Sequence, residues 1–272
     1  MGEIKAIVVT GNGTNCEMEM AHACKLGGFE RVDIVSIYEV LRGEVDLEEY
    51  HFFCLPGGFM DGDDLGAAKA AAVTWRYARL SRGKLLADVL KHYIDDGKLI
   101  MGVCNGFQLL VKLGLLPATG GAYFKQTATL TFNDSGRFED RWVILKTERR
   151  TPCVFLKNVE HLYLPVRHGE GKLIIADEGV LETVVKKRLG CLHYANLQGD
   201  PTDKYPANPN GSVENIAALC DETGRVFGLM PHPEAFLHYT NFPRWQRYKT
   251  MPEEGHGVQL FRNAYHYLKR RF

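Results

Sequence analysis

The chain has 272 residues, a length that fits one large α/β domain or two small ones. Apolar residues make up 45% and charged residues 24%, which excludes a disordered, collagen-like or low-complexity chain. Lysine plus arginine number 33 and aspartate plus glutamate number 33, so the formal net charge is zero. Because a phosphate-backbone binder carries a cationic excess, we do not expect nucleic acid to be a partner.

The seven cysteines favour a reduced protein. Their number is odd and no C-x-x-C motif is present, so the zinc-ribbon and thioredoxin-type patterns are missing. No apolar run approaches the 18 residues that a membrane span needs, and the first residues do not form a secretory h-region. We therefore expect a soluble cytoplasmic protein that has no membrane contact and holds no metal.

Short apolar runs rich in β-branched residues predict buried strands in the first part of the chain. They cover residues 4–9, 32–35, 52–55 and 99–103. Amphipathic helical patterns at 17–26 and 85–93 lie between them. Alternation of strand and helix at this spacing is typical of a parallel α/β sheet.

The middle of the chain changes character. Strands at 127–132 and 141–146 flank a polar turn at 133–136, and they can form either a hairpin or an antiparallel extension of the sheet. Later strands are predicted at 173–175 and 226–230. Proline-containing polar segments predict two surface excursions, at 199–211 and 241–255.

The end of the chain reads as a helix over residues 257–271. Its inward face would carry Leu260, Phe261, Ala264 and Leu268. We expect residues 1–272 to form one domain.

The pattern Gly102-x-Cys104-x-Gly106 between a strand and a helical stretch predicts a nucleophile elbow with cysteine in place of serine. Side chains at the two glycines would clash in so sharp a turn. A helix N-terminus favours thiolate over thiol at Cys104. The alternative is a buried cysteine beside a packing glycine.

A thiolate enzyme needs a base and a group that orients the base. His232 and Glu234 follow the strand at 226–230 and stand two residues apart, so their side chains can lie next to each other in extended backbone. The carboxylate would then fix the imidazole tautomer. The alternative is a solvated His–Glu pair in a turn.

Gly57 and Gly58 follow the strand at 52–55. Two glycines there let backbone N–H groups approach a ligand, which is what an oxyanion hole requires. From this segment alone, an ordinary turn is the better explanation.

Taken together, these motifs resemble those of the class I (triad) glutamine amidotransferases. The matching stretches cover most of the chain: residues 13–17, 56–59, 102–110, 135–142, 165–171, 208–212 and 228–234. Within that family, the strings at 104–108 and 137–142 are similar to the purine-biosynthetic branch. The resemblance implies a three-layer, doubly wound, mainly parallel sheet of flavodoxin-like type with a nucleophile elbow.

The resemblance implies a Cys–His–Glu triad. Cys104 would attack the side-chain amide of glutamine, His232 would move the proton to departing ammonia, and Glu234 would orient His232. The products would be glutamate and ammonia.

The resemblance also implies substrate-binding residues. Backbone N–H groups at Gly57 or Gly58 and at Asn105 would hold the oxyanion, and Gln108 would contact the bound glutamine. Three further residues, Arg137, His168 and Gly171, would lie near the glutamine pocket or a partner interface, without an assigned role.

The same resemblance implies partners. Ammonia would pass to a synthetase subunit that uses ATP and Mg²⁺, with a small accessory subunit in the same complex, while this chain would hold no cofactor. Two alternatives stay open from the sequence: another cysteine hydrolase of this fold, such as a peptidase-like relative, or a non-catalytic binding module.

Overall fold

The computed structural model describes residues 2–81, 83–247, 249–250 and 252–272. The strands are β1 Lys5–Thr10, β2 Arg31–Ser36, β3 Phe52–Leu55, β4 Leu99–Val103, β5 Ala128–Thr131, β6 Glu139–Thr147, β7 His161–His168, β8 Lys172–Ile175, β9 Gly190–Ala195, β10 Ile216–Cys220 and β11 Val226–Leu229. The helices are α1 Glu17–Gly27, α2 Ile37–Arg42, α3 Lys69–Tyr77, α4 Leu86–Asp95, α5 Asn105–Leu113, α6 Glu178–Lys186 and α7 Val258–Lys269.

A nine-stranded sheet with the order β2-β1-β3-β4-β11-β10-β9-β6-β7 forms the centre of the fold. The five strands from β2 to β11 run parallel, and the strands from β11 to β7 pair antiparallel. In the sheet, β2 lies on one side of β1 and β4 lies on the other side of β3. The connection from β1 to β2 and the connection from β3 to β4 therefore cross the sheet in opposite directions. Because such crossovers are right-handed, α1 lies on one face and α3 and α4 lie on the other. The α/β prediction is confirmed.

The order of the parallel strands decides where a ligand can bind. The strand order reverses between β1 and β3, which makes their carboxyl ends the topological switch point of the sheet. The segments that follow β1, β3, β4 and β11 all emerge at this edge, since those strands are parallel. The glycine pair 57–58, the Cys104 turn and the His232–Glu234 pair each follow one of these four strands.

The middle of the chain forms an antiparallel extension of the sheet, which was one of the two predicted alternatives. The other alternative, a hairpin of the two strands that flank the turn at 133–136, is wrong. β6 pairs with β7 and β9 in the large sheet, whereas β5 pairs with β8 in a separate two-stranded sheet. The turn between β5 and β6 is instead held by Asn133, whose side-chain amide donates to the carbonyls of Arg137 and His168. These hydrogen bonds separate β5 from β6.

The predicted surface excursion at 199–211 is partly wrong. Asn208 and Asn210 are buried, and the Asn210 amide donates to the Tyr194 hydroxyl at 3.0 Å. Polar side chains such as these can be buried when the protein supplies their hydrogen bonds. In the excursion at 241–255, Phe242 is buried, and residues 248 and 251 lie outside the described residues.

The terminal helix is confirmed as α7, and all four residues predicted to face inward are fully buried. It packs against α1 on one face of the sheet. Among the described residues, no helix combines the length and apolar character needed to cross a lipid bilayer.

Candidate active site

Cys104 occupies the sharp turn between β4 and α5. Its backbone has φ 51° and ψ −104°, a conformation that a non-glycine residue adopts only under constraint. A Cβ atom on Gly102 would lie 2.5 Å from the carbonyl of Gly106, and a Cβ on Gly106 would collide with the carbonyl of Leu55. The clash predicted for both glycines is therefore present. The turn places the Cys104 side chain in a cavity, at the N-terminus of α5.

His232 and Glu234 form a buried pair beyond the end of β11. The His232 Nδ1 atom lies 2.6 Å from Glu234 Oε1, and each side chain is at most 3% exposed. The His232 backbone is extended, and its N–H donates to the Pro165 carbonyl of β7 at 2.8 Å. The alternative of a solvated pair in a turn is wrong, because neither side chain reaches solvent.

The surroundings of His232 favour the charged imidazole. Burial alone would lower the pKa of this ring, but the Glu234 carboxylate and the Cys104 thiol outweigh it and raise the pKa well above the usual value. Nε2 makes no hydrogen bond of good geometry among the described residues, yet it lies near the thiols of Cys104 and Cys16. A charged imidazole beside a cysteine places a proton donor next to a nucleophile.

The glycine pair after β3 lies against Cys104 and His232. A Cβ on Gly57 would lie 2.9 Å from His232 Cε1 and 3.5 Å from Cys104 Cβ. Gly58 has φ 142°, and a Cβ there would lie 2.6 Å from the Gly13 carbonyl. Only glycine allows the loop to come this close.

Backbone N–H groups beside Cys104 are free to bind a ligand. The N–H groups of Gly57, Gly58 and Asn105 donate no hydrogen bond within the part of the chain that the structure describes. They belong to the loop after β3 and to the first turn of α5. Unpaired donors beside a nucleophile are the arrangement that stabilises a tetrahedral oxyanion.

The side chains of Asn105 and Gln108 brace the cavity wall. Asn105 Oδ1 accepts from the Met60 N–H at 3.0 Å, and its amide donates to Gln108 Oε1 at 3.0 Å. Gln108 in turn donates to the Glu170 carbonyl at 2.7 Å. Gln108 also lines the cavity, so the structure places it at the pocket with its amide already hydrogen-bonded to protein groups.

The cavity beside Cys104 has a volume of about 160 Å³. Its walls come from the loops after β1, β3 and β4, from the end of β7 and from His232. This volume is below the roughly 300–1,000 Å³ typical of drug-sized ligand sites. The cavity therefore suits a substrate of amino-acid size.

His168 lies in the cavity wall as a neutral imidazole. Burial, and then repulsion from His232, lowers the pKa of His168 to about 3. Its Nδ1 contacts Asn133 Oδ1 at 3.0 Å. Gly171 packs against the His168 ring, whereas Arg137 is exposed and lines a separate cavity of about 410 Å³. Of these three residues, only His168 reaches the pocket.

The sequence interpretation missed Asp63. Its side chain lines the cavity, and Oδ1 is buried without a hydrogen-bond partner among the described residues. Burial, and then the nearby Glu170 carboxylate, raises the pKa of Asp63. An unpaired carboxylate inside a small pocket is suited to bind a cationic group of a substrate.

Cys16 was also missed as a member of the site. Its Sγ, an imidazole nitrogen of His232 and a carboxylate oxygen of Glu234 lie within 4.8 Å of one another. Cys16 Sγ also lies 3.0 Å from Asn15 Oδ1. A metal at this position would compete with the hydrogen bond between His232 and Glu234, so the geometry favours proton transfer over metal binding.

The chain matches the sequence profile of the CobB/CobQ-like glutamine amidotransferase domain over residues 3–268. A relative from Dehalococcoides mccartyi, named phosphoribosylformylglycinamidine synthase subunit PurQ, is 41% identical over 264 residues, covering 97% of both chains. A relative of the same name from Methanococcus maripaludis is 36% identical and covers 98% of both chains.

The fold of this chain is also similar to that of a solved structure. The Thermotoga maritima structure described as PurLQS matches with a TM-score of 0.68 at 30% identity, over 98% of this chain and all of that chain. The match therefore extends over the strands and loops that build the cavity.

Proposed function

The chain belongs to the CobB/CobQ-like glutamine amidotransferases, and we propose that it is the glutaminase subunit of a phosphoribosylformylglycinamidine synthase in purine biosynthesis. The observation that carries this proposal is the 41% identity to a PurQ subunit over nearly all of both chains. The cavity beside Cys104 supplies the chemistry that the family name requires. We propose that residues 1–272 work as one amidotransferase domain.

In the proposed mechanism, Cys104 is the nucleophile. Its thiolate attacks the side-chain carbonyl carbon of glutamine and gives a tetrahedral intermediate. The free N–H groups of Gly58 and Asn105 would hold the oxyanion, with Gly57 shaping the loop. His232 then donates its proton to the leaving nitrogen, so that ammonia departs and a glutamyl thioester remains.

The second half of the reaction uses the same residues. His232, now neutral, takes a proton from water as the water attacks the thioester. Glutamate leaves, and the Cys104 thiolate and the imidazolium are restored. Glu234 holds the imidazole through Nδ1 in both halves, which keeps Nε2 directed at the reacting atoms.

The pocket also supports glutamine as the substrate. The Asp63 carboxylate is available for the α-ammonium group, because its Oδ1 has no partner among the described residues. The hydrogen bond from Gln108 to the Glu170 carbonyl fixes a further part of the wall. The volume of about 160 Å³ gives no support to the peptidase-like alternative, and the buried, charged His232–Glu234 pair gives none to a non-catalytic module.

The partners follow from the proposed function. A synthetase subunit would receive the ammonia and would bind ATP and Mg²⁺, so this chain would need no cofactor of its own. A small accessory subunit would complete the complex. The seven cysteines are all free, which suits the proposed cytoplasmic location.

The test is a comparison of two nitrogen sources in the assembled complex. We expect Cys104→Ala to abolish glutamine-dependent synthesis and to leave ammonia-dependent synthesis intact. Loss of both activities would indicate failure of assembly, and the complex would then be checked by size-exclusion chromatography. Full glutamine-dependent activity in the variant would overturn the assignment of the nucleophile.

A further inference from the structure

Three buried thiols meet outside the cavity beside Cys104. The sulfur atoms of Cys153, Cys191 and Cys220 lie within 4.8 Å of one another, and all three are free. Cys191 lies on β9 and Cys220 ends β10, two neighbouring antiparallel strands, while Cys153 precedes the 3₁₀ turn Val154–Leu156. The fold therefore joins three cysteines that no sequence motif connects.

The spacing of these sulfurs suits a three-coordinate metal ion. A metal about 2.3 Å from each of three thiolates in a plane holds the sulfurs about 4 Å apart. The observed distances between the sulfur atoms are at most 4.8 Å, so each distance would have to shorten by less than ~1 Å to reach that arrangement. The three sulfurs therefore already lie near the positions that a three-coordinate metal ion would require.

The ligand set selects the class of ion. No fourth histidine, cysteine or carboxylate joins the three sulfurs within 4.8 Å among the described residues. The neighbouring Asp221 is already committed, because its oxygens accept from the Tyr123 hydroxyl and from the Val226 N–H. Soft thiolates bind both zinc and Cu(I), but zinc in structural sites is almost always four-coordinate, so a set of three sulfurs favours Cu(I).

Thr151 supports the cluster from the side. Its hydroxyl lies 3.8 Å from Cys220 Sγ and accepts from the Cys153 N–H at 3.3 Å. The hydroxyl also donates to the Arg188 carbonyl at 3.0 Å. Hydrogen bonds of this kind orient ligands in metal sites.

One of the three cysteines borders a cavity that opens to solvent, whereas Cys191 and Cys220 are fully buried. Cys153 lines a cavity of about 1,080 Å³, the walls of which carry six lysine and arginine side chains and two glutamates. Three thiolates around one monovalent ion carry a net charge of −2, which the basic wall would offset. Arg149 and Arg150 stand in this wall near Cys153 in the chain.

We propose that Cys153, Cys191 and Cys220 form a binding site for a soft monovalent cation of the Cu(I) type. Each thiol loses its proton on binding, and no change of oxidation state is involved. The site is separate from the glutamine pocket and does not depend on the proposed glutaminase function.

The experiment is an anaerobic titration of the full chain with Cu(I) buffered by a chromophoric chelator. Because Cys16 and Cys104 could also bind the ion, the titration uses a Cys16→Ser/Cys104→Ser background. We expect one Cu(I) per chain, and loss of this binding by at least tenfold in affinity on Cys220→Ser. Cys54→Ser is the matched control, since Cys54 is a buried thiol 3.7 Å from Cys24, and it should leave the binding unchanged.

X-ray absorption at the copper edge makes the test independent of how well Cys220→Ser folds. We expect three sulfur neighbours and no nitrogen neighbour. Fewer than one bound ion per chain, a linear two-sulfur site, or unchanged affinity in a folded Cys220→Ser variant would each overturn the proposal. A disulfide among these three cysteines in the isolated protein would overturn it as well.

Discussion

Glu234 Oε1 lies 2.6 Å from His232 Nδ1, and this contact fixes which nitrogen of the imidazole faces Cys104. The carboxylate also offsets the effect of burial and holds the pKa of His232 above its usual value. One hydrogen bond therefore sets the orientation and the charge of the imidazole that we propose as the catalytic base.

Glu234→Gln tests this relationship. The amide keeps the shape of the side chain but removes the charge, so the pKa of His232 should fall and the wrong tautomer should become accessible. We expect the rate of glutamine hydrolysis to fall by about 10²–10⁴-fold. Steady-state release of ammonia measures this rate. Glu160→Gln is the control, because Glu160 is exposed. An unchanged rate would show that Glu234 is not the orienting group.

Gly58→Ala tests the oxyanion loop. An added Cβ would meet the Gly13 carbonyl at 2.6 Å, so the loop has to move and its N–H leaves Cys104. We expect kcat to fall by about 10²–10³-fold. Gly121→Ala is the matched control, because Gly121 also has a positive φ but an added Cβ there would have no neighbouring atom within 4 Å. Equal losses in the two variants would argue against a role for the Gly58 N–H.

Asp63→Asn tests recognition of the substrate. Removal of the charge should weaken binding of the α-ammonium group by about tenfold or more, because hydrogen bonds to charged groups contribute about 1.5–3 kcal/mol. We expect the KM for glutamine to rise more than kcat falls. The exposed neighbour Asp64 provides the control through Asp64→Asn. A fall in kcat with unchanged KM would contradict this role.

His168 makes a prediction about pH and stability. Its pKa is about 3 in the folded protein and about 6.5 in the unfolded chain, so the unfolded chain binds the additional proton below pH 6.5. The free energy of unfolding should therefore fall as the pH drops from 6.5 towards 3. His168→Gln should show a smaller fall between pH 7 and pH 5.

Urea unfolding at the two pH values measures this difference. The exposed His22 supplies the control variant His22→Gln, which should behave like the original protein. The same pH dependence in His168→Gln and in the original protein would show that His168 is not the group responsible.

Most of the parallel half of the fold could be predicted from the sequence, because β1, β3, β4 and β11 are buried and read as continuous apolar runs. β3 and β4 were predicted with their observed bounds. β7, β9 and β10 were missed; β7 contains a proline, which argues against a strand inside a sheet. α2 was missed although Ser36 and Glu39 form a capping box, a signal that is visible in the sequence.

The site could be predicted only where its residues follow strands directly. Cys104 and His232 lie just beyond the ends of β4 and β11, so strand patterns brought them to one edge of the sheet. Cys16 and Asp63 lie deeper in loops, and their positions depend on how the loops after β1 and β3 pack together. The cluster of Cys153, Cys191 and Cys220 depends on strand pairings in the antiparallel half, which no local pattern specifies.

Two thiols lie near one imidazole, so identification of the nucleophile is the most direct measurement. A thiol-alkylating analogue of glutamine would be applied to the original protein, to Cys16→Ser and to Cys104→Ser, with the synthetase subunit present and absent, and the modified peptide mapped by mass spectrometry. We expect modification at Cys104 in the original protein and in Cys16→Ser, and none in Cys104→Ser. Modification at Cys16 with Cys104 left free would contradict the mechanism.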